Sequence, residues 1–85
     1  MTYFVYILQC ADKSYYCGYT TELERRVVEH NHSNKGSKYT RSKRPVELVY
    51  SEEYRSLSEA LKREWQIKQL SSEQKRKLVE AESDQ

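Results

Sequence analysis

The 85-residue chain carries 15 Lys and Arg against 13 Asp and Glu, a net charge of +2, with 36% hydrophobic and 33% charged residues. That length suits one domain with a modest core, and so small a charge identifies no polyanion partner by itself; a nucleic-acid reading must rest on where the cations lie. No apolar run approaches the roughly 18 residues of a membrane span, and Met1-Thr2-Tyr3 lacks the charged start of a signal peptide, so a cytoplasmic location without membrane contact is expected.

Tyr3 to Leu8 is a continuous aromatic and branched run, which predicts a strand covered on both faces. Ala11-Asp12-Lys13-Ser14 reads as its turn and Tyr15 to Thr20 as an antiparallel return strand. Tyr6 and Tyr16 share a face if Leu8 lies opposite Tyr16; a one-residue slip separates them unless a bulge restores the match. Gly18 weakens a strand, so it marks either the close approach of a backbone, side chain or ligand, or a plain bend before the next element. Eight tyrosines against one phenylalanine supply aromatic area with a polar tip, suited to a wet cleft or a base stack. Cys10 and Cys17 form no CxxC pair and are expected to be free thiols in or beside the strands. With His30 and His32 they have no recognisable zinc-ligand spacing, and nothing local marks Cys17 as an activated nucleophile.

Thr21 with Glu24 has the form of a capping box, predicting a helix that starts after Thr21 and runs through Leu23, Val27 and His30. Leu23 and Val27 define the inward stripe, with Arg26 and His30 on its flank and Arg25 and Glu29 turned to solvent as an i, i+4 pair. Two groups able to carry positive charge at a core margin are poor for stability and good for an anion.

From Asn31 to Arg44 the chain is polar, with Lys35, Lys38, Arg41, Lys43 and Arg44 and no acid. It reads either as a solvated loop or, with Tyr39 adding a stacking surface, as a rim that tracks phosphates. Pro45 ends it, and Val46 to Tyr50 predicts a third strand extending toward Glu53. Ser56 with Glu59 and Ser71 with Gln74 are further capping boxes, predicting helices near 57–69 and 72–80. On the first of these, Leu57, Ala60, Leu61 and Ile67 form the expected inward stripe and Glu64 falls within it. An inward carboxylate needs compensation: Lys68 as an i, i+4 ion pair, or a divalent metal. The expected fold class is α+β, a small three-stranded antiparallel sheet flanked by about three helices in the order β-β-α-β-α-α, as one domain over residues 1–80 with a polar tail at 81–85.

An aromatic-rich strand ending in Phe4-Val5-Tyr6, then Tyr16-Cys17-Gly18, then Leu23-x-x-Arg26-x-x-x-His30 resembles the GIY-YIG nuclease superfamily, and more closely its small stand-alone members. Arg44-Pro45-Val46 and the run from Glu59 to Glu64 extend the resemblance from Tyr3 to about Leu78. Both tyrosines and the glycine are kept where the family name spells Gly-Ile-Tyr and Tyr-Ile-Gly. The changed neighbours, Val5 and Cys17, would point to the other sheet face and affect packing more than chemistry. A late asparagine used by some relatives has no counterpart, since Asn31 and Asn34 lie too early.

The resemblance implies an Mg2+- or Mn2+-dependent endonuclease-like domain hydrolysing phosphodiester bonds in DNA, of a structure-specific repair or recombination type acting on branched or flapped substrates. It maps the metal-binding glutamate onto Glu64 and the general base onto Tyr6. A guanidinium at Arg26 can clamp the phosphorane through two parallel hydrogen bonds, and Tyr16 can orient water or phosphate. His30 has the right intrinsic pKa to share the proton, and Tyr6 and His30 remain alternatives for the base. Gly18, Lys35, Lys38, Tyr39, Arg41, Lys43 and Arg44 are the candidate nucleic-acid contacts. Without a fused DNA-reading domain, specificity must come from substrate shape, a partner protein or the basic loop. The competing reading is a non-catalytic nucleic-acid-binding or adaptor domain that keeps the fold.

Overall fold

Tyr3–Gln9 forms β1, the middle strand of a three-stranded antiparallel sheet in the order β2-β1-β3, with β2 at Tyr15–Thr20 and β3 at Glu47–Tyr54. The computed structural model describes residues 1–33 and 38–83. Its helices are α1 (Leu23–His32), α2 (Lys38–Arg41), α3 (Leu57–Lys68) and α4 (Ser72–Ser83). The α+β class and the antiparallel sheet are as expected, and the order is β-β-α-α-β-α-α. The addition is the single turn α2, which lies in the basic stretch expected to be irregular. None of these helices is long and apolar enough to cross a membrane.

The uninterrupted apolar run explains why β1 is central: Val5 to Leu8 are buried because both faces of the strand are covered. Val5, Ile7 and Cys17 pack with Ala60 and Ile67 of α3 and with Leu70, Leu78 and Val79. Tyr6 and Leu8 turn the other way, with Cys10, Val46 and Tyr16, toward Leu23 and Val27 of α1. Leu8 does pair with Tyr16, and Tyr6 pairs with Gly18, so the two tyrosines share the α1 face without a bulge in this hairpin. The register shift occurs instead between β1 and β3, at Ile7/Leu8. The hairpin turn is closed by Asp12, whose Oδ1 accepts from the Ser14 amide at 3.0 Å, and Lys13 takes the left-handed conformation with φ of 73°.

The serine cap of α3 and the full capping box of α4 form. Ser56 Oγ accepts from the Glu59 amide at 3.2 Å, while Ser71 and Gln74 exchange bonds of 3.1 and 2.9 Å. At α1 the expected box does not form: the N-cap is Glu22, without a side-chain cap, and Thr20 Oγ1 takes the Glu22 amide at 3.1 Å. The Thr20 hydroxyl lies one residue nearer the strand end and captures the turn before Thr21 can act. Helix α4 continues to Ser83, so the first residues of the expected tail are helical.

The inward face of α3 also differs from expectation. Ala60 and Ile67 are fully buried, whereas Leu57 and Leu61 are exposed. Small Ala60 admits the helix close to the sheet, and the next inward position is taken by Arg63, which reaches Glu52 on β3. Arg63 Nε and Nη2 donate to the Glu52 carboxylate at 2.9 and 3.0 Å, and the hydroxyls of Tyr54 and Tyr50 donate to the same group. Burial alone would raise the Glu52 pKa, but these donors outweigh burial and hold it below the ordinary glutamate value. Glu52→Ala leaves a guanidinium and two phenols without their acceptor, and should lower unfolding free energy by about 2 kcal/mol. Urea denaturation checks this; the additional replacement Arg63→Met should recover part of the loss.

Candidate active site

On the α1 side of the sheet, four side chains from three elements form one hydrogen-bonded line. Arg26 of α1 donates to the Tyr6 hydroxyl of β1. The same hydroxyl lies 2.9 Å from His30 Nε2, and His30 Nδ1 lies 2.9 Å from Thr40 Oγ1 of α2. Tyr6, His30 and Thr40 are all within 1% of full burial. His30 is therefore inside the core, not on the flank of the α1 stripe where helical periodicity placed it. Burial, with the Arg26 charge next, pulls its pKa down to about 4, so the imidazole is neutral at neutral pH. Burial pushes the Tyr6 phenol up to about 12, against the lowering effect of Arg26.

These facts set the direction of the line. A guanidinium only donates, so Tyr6 accepts from Arg26 and gives its own proton to His30 Nε2. The neutral ring then carries its hydrogen on Nδ1, facing the Thr40 oxygen.

Gly18 has a steric role in this arrangement. A Cβ there would stand 2.7 Å from Tyr6 Oη, 2.9 Å from Tyr6 Cζ and 3.2 Å from Tyr16 Cε2. The close approach anticipated from the sequence is therefore that of the Tyr6 ring, which has no room to retreat. Gly18→Ala should destabilise the domain by about 1–3 kcal/mol through overpacking, read as a lower denaturation midpoint, and should disturb the Tyr6–His30 bond.

Tyr16 completes an aromatic wall. Its ring centroid is 5.1 Å from His30 and 6.5 Å from Tyr6, and Tyr39, which is partly exposed, stacks on it at 6.0 Å. Arg26 is three-quarters buried on its side chain and also bonds Glu29 Oε1 at 3.1 Å. Glu29 is thus turned inward between two arginines. Arg25, expected to pair with it, lies 3.9 Å away and is closer to Glu22, at 2.7 Å.

The basic stretch divides by position. Lys43 donates to Asp12 at 2.6 Å and sits 4.7 Å over the Tyr39 ring, tying the β1–β2 turn to the rim. Arg44 donates to the carbonyls of His30 and Ser33, each at 2.5 Å, and so caps the end of α1. Asn31, set aside in the sequence as too early for the family's late asparagine, pairs both ways with the Val46 backbone at 2.7 and 3.0 Å. Lys38 and Arg41 are exposed on α2, and Lys35 lies outside the described residues.

Glu64 does not join the Arg26–Tyr6–His30 line. It lies on α3, whose Ala60 and Ile67 pack against Val5, Ile7 and Cys17, and its charge acts on Cys17. Its carboxylate is 3.6 Å from Lys68, with side-chain exposures of 16% and 50%, so the ammonium compensating the acid is itself half in solvent. Among the described residues no group of three or more His, Cys, Asp and Glu gathers as a metal cage. Cys10 and Cys17 are free and buried, and burial followed by the Glu64 charge raises the Cys17 thiol to about 11. Thr40 was invisible to the sequence reading, because one threonine in a basic run carries no signal until folding brings it to His30.

The family model for the GIY-YIG catalytic domain matches residues 2–77. The chain is 61% identical over 79 residues to a UPF0213 protein of Desulfotalea psychrophila, covering 93% of this chain and 72% of that protein. It is 51% identical over 78 residues to one from Staphylococcus haemolyticus, covering 92% and 94%. Two solution NMR structures are similar to it. One is a UPF0213 protein from Bacillus halodurans, with TM-score 0.61, 44% identity and coverage of 95% and 85%. The other is a protein from E. faecalis, with TM-score 0.67, 39% identity and coverage of 100% and 90%. With the model match spanning the sheet, α1 and α3, the chain belongs to the GIY-YIG catalytic-domain family and has its nuclease-like fold.

Proposed function

We propose that the protein is a metal-dependent phosphodiesterase that cuts DNA at the Arg26–Tyr6–His30 line. The observation that carries this reading is a guanidinium and a neutral imidazole joined through one phenol, a ready path for a proton beside a group that binds phosphate. Arg26 stays charged, and a phosphate arriving at it meets a donor that strengthens as negative charge builds in the transition state. A phenol held near 12 supplies no phenolate at neutral pH, so Tyr6 acts as a relay: it takes a proton from the attacking water as it passes its own to His30 Nε2. His30 is a weak acceptor in the resting site, and an incoming phosphate offsets the Arg26 charge that helps to depress it. Tyr16, against both rings, holds them in place.

Glu64 is the residue that would hold Mg2+ or Mn2+. A single carboxylate fits the habit of Mg2+, which keeps waters and completes its shell with substrate phosphate oxygens, and the half-exposed Lys68 is a displaceable partner. When bound, the ion supplies charge neutralisation at the leaving oxygen.

Purified protein incubated with branched or flapped DNA should nick it with Mg2+ or Mn2+ and stop when the ion is chelated. Glu64→Ala should bind the same DNA without cutting it. Wild-type protein that binds these substrates with metal and never cuts them would establish an adaptor in place of a nuclease.

A further inference from the structure

The outward face of α3 takes no part in the core and is not a polar helix surface. Leu57, Leu61 and Trp65 recur every four residues and form one stripe, with exposures of 42%, 40% and 64%. Leaving most of an indole in water needs a reason, because a large exposed aromatic in an apolar stripe is the usual mark of a contact surface. The residues one helical turn from Trp65 are Leu61, Lys62, Lys68 and Gln69: two uncharged side chains and two exposed lysines, of which Lys68 also lies 3.6 Å from the Glu64 carboxylate. Glu64 is on the same helix but turned toward the sheet.

We propose that Trp65, flanked by Lys62 and Lys68, is a stacking site for an unpaired base of single-stranded DNA. The apolar stripe alone would suit a protein equally well. The two cations around the indole favour a polyanion with π-faces, the combination that binds single strands without reading their sequence. The site deepens the nuclease reading and rests on it: a single-stranded arm held on α3 lies on the helix that carries Glu64, which packs against the edge strand β2, and gives this domain a preference for branched or flapped DNA over plain duplex.

Trp65 is the only tryptophan in the chain, so its emission reports on this position alone. Titration with an oligo-dT strand should quench it saturably, and the effect should weaken as salt rises. Trp65→Ala should lower affinity for the strand about tenfold while leaving duplex affinity unchanged, and Trp65→Phe should keep most of the binding. Lys62→Ala should reduce the salt slope by about 0.7, the share of one phosphate contact on a single strand. Because the side chain is exposed, both Trp65 variants should melt with the wild type, which separates lost stacking from lost folding.

The proposal is overturned if flapped DNA binds and is cut while tryptophan emission stays constant. It is equally overturned if emission shifts with protein concentration in the absence of DNA, which would assign the stripe to a second copy of the chain. Quenching by oligo-dT without cutting of any branched substrate would instead defeat the nuclease reading and leave the stacking site standing.

Discussion

Tyr6→Phe should cut branched DNA about 10²–10⁴-fold more slowly than the wild-type protein, with DNA affinity unchanged. The substitution removes one oxygen and keeps the ring, so the packing against Gly18 and Tyr16 survives and only the relay is lost. The missing hydroxyl leaves His30 Nε2 without its 2.9 Å partner and Arg26 with Glu29 in place of the phenol. The accompanying loss of stability should be about 1–2 kcal/mol, small enough for the variant to remain folded at assay temperature. Single-turnover cleavage with saturating enzyme separates the chemical step from binding. A Tyr6→Phe rate within a few-fold of wild type would remove Tyr6 from the mechanism and leave a water bound by His30 as the base.

Unfolding free energy should fall by about 3 kcal/mol as pH is lowered from 6.5 to about 4, and His30 should be the cause. In the unfolded chain the imidazole titrates at its ordinary value of 6.5, whereas in the core it stays neutral down to about 4. Above 6.5 neither state holds the extra proton and the full stability is present. Between these values the unfolded chain takes up a proton that the folded chain refuses, and the balance shifts toward unfolding. Below about 4 both are charged and this contribution levels off. The surroundings act in both directions: burial, Arg26 and Arg44 disfavour the cation, while Glu29 favours it. Glu52, whose folded pKa is lowered, adds its own loss only below the ordinary glutamate value of 4.5. Urea denaturation at pH 7, 6 and 5 should show the slope, and His30→Gln should flatten it. An unchanged slope in that variant would mean that another group titrates.

The hairpin was readable because alternation along a strand leaves few choices: once Leu8 faces Tyr16, the side taken by every neighbour follows. The serines before α3 and α4 were readable for a similar reason, since each hydroxyl takes the amide three residues on, and Gln74 returns the bond at α4. The arrangement at α1 was not, because Thr20 and Thr21 compete for the same turn and only the strand end decides between them. Apolar periodicity misjudged α3 by ranking leucines above an arginine. The sheet instead offered Glu52 to Arg63 and space for Ala60, which turned Leu57 and Leu61 outward. At the site, Tyr6, Arg26 and His30 were found by their spacing, but Thr40 depends on a contact across ten positions that no pattern records. The depth of His30 was missed because helical geometry gives direction and not distance from the surface.

The order in which the strands lie in space differs from the order in which they are made. The first strand synthesised occupies the middle of the sheet, and its second neighbour arrives only with Glu47–Tyr54, when Tyr3 finally meets Tyr54. Until then the ribosome holds a hairpin in which β1 as well as β2 has an open backbone edge, and the cost of closing that long loop falls on the slowest stage of folding. A nascent chain arrested before residue 54 should therefore be sticky toward other strands and easily digested, and should become resistant to protease once the third strand has left the exit tunnel.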